Sequence, residues 1–160
     1  MLSVANYNTP EQTVVAGHAV AVERALPRFK EAGAKRVVAL NVSAPFHCAL
    51  MAPVVPRLRG VLEGVPVHEV RVPLVSNVEA RPNSDKARVV PLLLQQVTAP
   101  VRWVECVQAM VAAGVKRMVE LGPGRVLSGL VRSTTREVEV LNVEDVASLE
   151  KALAAIEAKG

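Results

Sequence analysis

The stretch Lys116–Asn142, KRMVELGPGRVLSGLVRSTTREVEVLN, decides the architecture of this chain. Lys116–Leu121 is an apolar run of strand length, Gly122-Pro123-Gly124 is a tight turn, and Val126–Thr134 has the spacing of a helix. Val138–Asn142 supplies a further strand, and Val146–Ala158 an amphipathic helix that follows it. Strand and helix alternating at these lengths imply an α/β layer architecture.

Upstream, helices are expected over Val89–Val97 and Trp103–Ala113, separated by Thr98-Ala99-Pro100 and closed by Gly114. Val70–Val78 alternates and ends in the polar pair Ser76-Asn77, as a strand would. Leu50–Leu62 carries Met51, Val54, Val55, Leu58 and Leu62 at helical spacing, with Pro53 acceptable only in a first turn. Arg36–Val42 reads as another strand. The chain opens with a short strand ending at Val4-Ala5, a turn Asn6-Tyr7-Asn8-Thr9-Pro10, and a second strand Thr13–Ala16 closed by Gly17. A helix over Ala19–Ala32 follows and stops at Gly33, with Pro27 predicting a kink or an early break.

A chain of 160 residues with 51% apolar content can bury a substantial aliphatic core, and disorder is excluded. Aromatics make up only 2%, which argues against a single-stranded nucleic-acid binder that stacks bases on aromatic faces. The net charge of +4 is scattered rather than clustered, fitting an acidic or phosphate-bearing partner or simply a solvated basic surface. Cys48 and Cys106 have neither zinc-ligand spacing nor a companion histidine cluster, so a reduced, cytoplasmic setting without a metal is expected. No apolar run approaches the ~18 residues that a membrane span needs, and nothing at Met1-Leu2-Ser3 resembles a secretion signal.

The residues best suited to chemistry lie in Ser43-Ala44-Pro45-Phe46-His47-Cys48, directly after the Arg36–Val42 run. The Ala44-Pro45 step is expected to keep this loop extended and to deliver His47 at the carboxyl edge of a strand, where open α/β sheets build their sites. An imidazole there can act as a general base, the alternative being a surface or helix-cap histidine. His18 and His68 lack such a setting. A base needs a nucleophile, yet no serine of this chain stands in a Gly-x-Ser-x-Gly elbow. Cys48 is adjacent to His47 but would point the other way on an extended segment, and Cys106 falls among apolar helix neighbours as core. Asn6 and Asn8 offer two carboxamides, which serve either a site or the turn itself. Gly122-Pro123-Gly124 before a helix could present amides to a phosphate but lacks the spacing of known phosphate loops, so it reads more simply as a turn.

Taken in order, Ala5-Asn6-Tyr7-Asn8-Thr9-Pro10-Glu11-Gln12, Val42–Met51, Pro73–Val78, Gln95–Trp103 and Glu120–Leu130 resemble successive blocks of the malonyl-CoA:acyl-carrier-protein transacylases. The resemblance covers nearly the whole chain and only the carboxy-terminal half of that family. It implies a Ser/His acyltransferase of fatty-acid or polyketide synthesis that moves malonyl from malonyl-CoA to the phosphopantetheine thiol of an acyl carrier protein. It implies no cofactor, malonyl-CoA being the substrate. By the same resemblance His47 is the base, and Gln96 matches the glutamine whose carbonyl orients the imidazole. Asn6 and Asn8 would line the acyl and pantetheine cleft, and Phe46 would crowd an α-substituent and favour malonyl.

The implied fold is a partial ferredoxin-like small subdomain over residues 1–49, ending in the histidine loop, followed over 50–160 by the carboxy-terminal part of a large α/β-hydrolase-like domain. The nucleophile elbow, the oxyanion loop and the arginine for the malonyl carboxylate belong to the family's other half, so the chain alone is expected to be inactive. Neither nucleic acid nor membrane is expected as a partner. A second polypeptide carrying the serine is one expectation; a non-catalytic piece that binds carrier protein or CoA is the alternative.

Overall fold

A computed structural model describes residues 1–158. Leu2–Thr9 (β1) and Gln12–Gly17 (β2) form an antiparallel hairpin whose ends meet at Thr9 and Gln12, so the turn is only Pro10-Glu11. Asn6, Tyr7 and Asn8 are thus strand residues, a correction to the turn expected there. Asparagine favours turns weakly, but Thr13 and Val14 need ladder partners, and Tyr7 and Asn6 are what pairs with them. On its other edge β1 takes a single residue, Val101, through Tyr7 N–H to the Val101 carbonyl at 2.8 Å and Val101 N–H to the Ala5 carbonyl at 2.8 Å.

Ala19–Glu31 (α1) packs on β2 and ends at Gly33, whose φ of 93° suits a residue without a Cβ. Pro27 does not break it. Proline removes the N–H that the Glu23 carbonyl would accept, and both residues are exposed, where water can satisfy that oxygen.

The strand expected over Arg36–Val42 does not form. Val38, Leu40 and Val42 are 53%, 58% and 62% exposed, and among the described residues none of the three is paired in a sheet. An apolar run of this length marks a segment that can become a strand, but a ladder partner is needed to make it one. The helix expected from Leu50 is also divided: Ala49–Met51 makes a 3₁₀ turn, Pro53 caps, and Val54–Leu62 (α2) is helical. Pro56 then falls in the first turn, where its missing N–H has no carbonyl to lose. Of Val70–Val78 only Leu74–Val75 (β3) is a strand, paired antiparallel with Pro82–Asn83 (β4).

A 3₁₀ turn capped by Asp85 leads into Val89–Gln96 (α3), which Trp103–Ala112 (α4) follows. Arg117–Leu121 (β5), Val126–Thr134 (α5) and Glu139–Val143 (β6) then form a βαβ unit, the strands being parallel and pairing Arg117 with Glu139 through Leu121 with Val143. Val146–Glu157 (α6) covers β6. Helices α4 and α5 pack on β1, and Ala5, Cys106, Val107, Ser128 and Val131 on these three elements are buried. Val107 is fully buried, so Val107→Ala is expected to cost about 2 kcal/mol, seen as a lower denaturant midpoint at unchanged slope.

Helix α6 begins with a reciprocal cap. Ser148 N–H donates to Asp145 Oδ1 at 2.7 Å, while Asp145 N–H donates to Ser148 Oγ at 2.9 Å. The Ser148 hydroxyl, then its amide, hold the Asp145 carboxyl below the usual aspartate range. A lowered folded value stabilises above the ordinary aspartate pKa and is lost as pH falls through the lowered one. Asp145→Ala should therefore lower the melting temperature at neutral pH, and the difference from the parent chain should close as acid protonates Asp145, as thermal scans across pH would register.

Candidate active site

Pro45, Phe46 and His47 do not run extended as the sequence suggests. Phe46 N–H donates back to the Ala44 carbonyl at 3.0 Å, and His47 itself is left-handed, with φ at 58°. Nor does a strand precede the loop, since Arg36–Val42 is irregular. A non-glycine residue at positive φ is strained, and its surroundings must hold it. Cys48, 1% exposed, anchors one side by giving its thiol hydrogen to the Pro45 carbonyl at 3.1 Å. His47 is anchored on the other: its Nδ1 stands 3.0 Å from the main-chain oxygen of Gln96.

That contact fixes the chemistry of the ring. A carbonyl oxygen only accepts, so Nδ1 carries the hydrogen, and in the neutral ring Nε2 is left with a lone pair. The Gln96 oxygen lies at the end of α3, where carbonyls have no helical N–H and the helix dipole is negative. The oxygen is the backbone's; the Gln96 side chain is committed elsewhere, its Oε1 accepting from Asn77 Nδ2 at 3.1 Å. Asn77 lies in the Pro73–Val78 block but carries no signal of its own in the sequence, because an asparagine after a strand reads first as a turn former.

Asn6 is half-buried on β1, bridged to Val101. Only Val97–Pro100 separates that bridge from Gln96, so the end of α3 and the middle of β1 are tied by a short link. Asn8 gives its side-chain amide to Gln12 Oε1 across the hairpin at 3.2 Å. Phe46 is 50% exposed. Among the described residues no hydrogen bond joins Asn6, Asn8 or Phe46 to His47.

The Gly122-Pro123-Gly124 turn has no free cradle. Gly122 N–H donates to the Val143 carbonyl, Gly124 N–H to Glu144 at 3.1 Å, and the first amides of α5, at Leu127 and Ser128, to the Glu120 carboxylate at 3.0 and 2.7 Å. The anion at this helix N-terminus is the chain's own glutamate. Among the described residues no cluster of His, Cys, Asp or Glu could hold a metal, and no helix is long and apolar enough to cross a membrane.

No family model matches the chain. A Haemophilus influenzae protein named malonyl CoA-acyl carrier protein transacylase is 40% identical over 148 residues, 92% of this chain and 47% of its own length. Its namesake from Bacillus subtilis is 40% identical over 153 residues, 96% and 48%. Among solved structures, the transacylase of Clostridium perfringens superposes with a TM-score of 0.93 at 37% identity, over 99% of this chain and 50% of that one. A malonyl-transacylase solved in complex with its type II PKS acyl-carrier protein gives 0.92 at 41% identity, over 97% and 50%. This chain spans about half the length of the curated relatives it matches. It is therefore a member of the malonyl CoA-acyl carrier protein transacylase family, over about half of that family's length.

Proposed function

We propose that this chain supplies the histidine-bearing half of a malonyl-CoA:acyl-carrier-protein transacylase whose nucleophilic serine stands on the other half. The contact of His47 Nδ1 with the Gln96 carbonyl carries the reading, because it leaves Nε2 free to take a proton. In the first step Nε2 removes the serine proton as its oxygen attacks the thioester carbonyl of malonyl-CoA. The carbon–sulfur bond breaks, the CoA sulfur takes the proton from the imidazolium, and malonyl remains as a serine ester. In the second step His47 deprotonates the phosphopantetheine thiol of the carrier protein, sulfur attacks the ester, and the serine oxygen recovers its proton. Throughout, the Gln96 carbonyl keeps the ring oriented and steadies its charge. Asn6 and Asn8 line the acyl and pantetheine path, Phe46 disfavours a branched acyl group, and no cofactor takes part.

On this reading residues 1–49 belong to a ferredoxin-like small subdomain and residues 50–160 to the large α/β-hydrolase-like domain. Support comes from the β1–β2 hairpin with α1 on one side and the parallel β5–β6 pair on the other. Parallel sheets are normally covered on both faces, yet Val119 and Leu121 of β5 and Leu149 and Leu153 of α6 are exposed, which suits cover by the other half. Two unpaired thiols suit work in the cytoplasm.

The test is the intact mass of the chain after incubation with malonyl-CoA, alone and with a separately produced serine-bearing half. Malonyl on the added half and none here, followed by transfer to carrier protein, is the expected result. An adduct on this chain alone would overturn the proposal, and binding of carrier protein or CoA without any transfer would favour a non-catalytic binding fragment.

A further inference from the structure

We infer that Asn77 is a positioning residue for His47, acting through Gln96. The inference deepens the proposed function and rests on it for its catalytic meaning. Gln96 makes two contacts, its main-chain oxygen to His47 Nδ1 at 3.0 Å and its side-chain oxygen to Asn77 at 3.1 Å. The first is the one that orients the ring, but its acceptor sits where a helix frays. At the end of α3, Val97 N–H donates to the Leu94 carbonyl, and Thr98 and Ala99 N–H both donate to the Gln95 carbonyl. The helix ladder therefore leaves the Gln96 carbonyl without a helical donor, and within the helix end its peptide is held only by the long Val97 N–H bond to Leu94 at 3.3 Å.

Asn77 is placed to hold it further, being itself firmly tied. Its carbonyl accepts Arg102 N–H at 2.9 Å, and the Arg102 guanidinium reaches the carbonyls of Val78 at 3.2 Å and Glu79 at 3.4 Å. The start of α4 thus clamps the loop that carries Asn77, and the Asn77 side chain clamps the last residue of α3. Both amides line a cavity of ≈ 130 Å³ whose walls include Val75 and Leu92. An apolar wall on one side strengthens an amide–amide bond and gives a leucine at position 77 room to pack. Either amide can turn over and keep the bond, so the pair tolerates a change of donor but not the loss of both polar groups.

The consequence is read on the ring itself, without turnover. In the chain labelled with ¹⁵N in its imidazoles, at a pH where the rings are neutral, His47 should show the Nδ1–H tautomer, with exposed His18 and His68 as internal references. Asn77→Leu should raise the ratio of Nε2–H to Nδ1–H at His47 roughly fivefold, the worth of one net hydrogen bond. Asn77→Asp should restore the parent ratio, because the Gln96 amide can turn its NH₂ to the carboxylate. Gln96→Leu should reproduce the shift, and adding Asn77→Leu to it should change nothing more. A His47 ratio unmoved by Asn77→Leu while the melting temperature falls would make Asn77 merely structural and overturn the inference. Should that variant not fold, an unmoved ratio in Gln96→Leu overturns it equally. A shifted tautomer without acyl transfer on adding the serine half would sink the proposed function and leave this inference standing; transfer with an unmoved tautomer would do the reverse.

Discussion

His47→Asn, assayed with the serine-bearing half present, is expected to lose on the order of 10²- to 10⁴-fold in malonyl transfer, the range for removing a positioned general base. Asparagine is the better replacement because His47 is left-handed at φ 58°, and asparagine tolerates that region more readily than other non-glycine residues. The loop should then keep its shape, so the melting temperature should hold while turnover collapses. Gln96→Ala provides the contrast. It removes a side chain but not the main-chain oxygen that the ring uses, and its loss should be much smaller than that of His47→Asn. Equal losses would mean that the glutamine side chain, not its backbone, serves the histidine.

The second large effect concerns the thiols. Burial pushes the Cys106 thiol up to about 11 from 9.0, and its hydrogen is given to the Ser76 carbonyl at 3.4 Å. Two pH units correspond to about a hundredfold less thiolate at pH 8, so iodoacetamide should alkylate Cys106 at least that much more slowly than an exposed thiol. Cys48 is equally buried and bonded to the Pro45 carbonyl. Both cysteines should react rapidly once the chain is denatured, and neither should carry malonyl in the folded chain. Fast native labelling of Cys48 would reopen the reading in which this cysteine, beside the histidine, is the nucleophile.

These expectations depend on features that differ in how far the sequence reveals them. Helices α3 to α6 and the strand pair β5 and β6 were legible within a residue or two, because glycines at 114, 122 and 124, the polar cap at Asp145 and unbroken apolar spacing act locally. Strands were less legible. Arg36–Val42 has the pattern of one and is not, whereas Asn6–Asn8 has the composition of a turn and is strand. In each case the outcome was set by whether another segment offered backbone partners, which no local pattern records.

The candidate site divides along the same line. The Pro-Phe-His-Cys loop, the lack of a serine elbow and the core placement of Cys106 could be read from residue types and spacing, since they depend on chemistry that each residue carries with it; the ordered blocks of a transacylase half entered as a resemblance. The tertiary structure alone decided that His47 is left-handed rather than extended, that the Gln96 backbone rather than its amide meets the ring, and that Asn77 holds that glutamine. Those are contacts between residues 19 and 49 positions apart. They depend on where a helix end and a loop come to rest after packing, and a hydrogen bond accepts only a few tenths of an ångström of error in that placement.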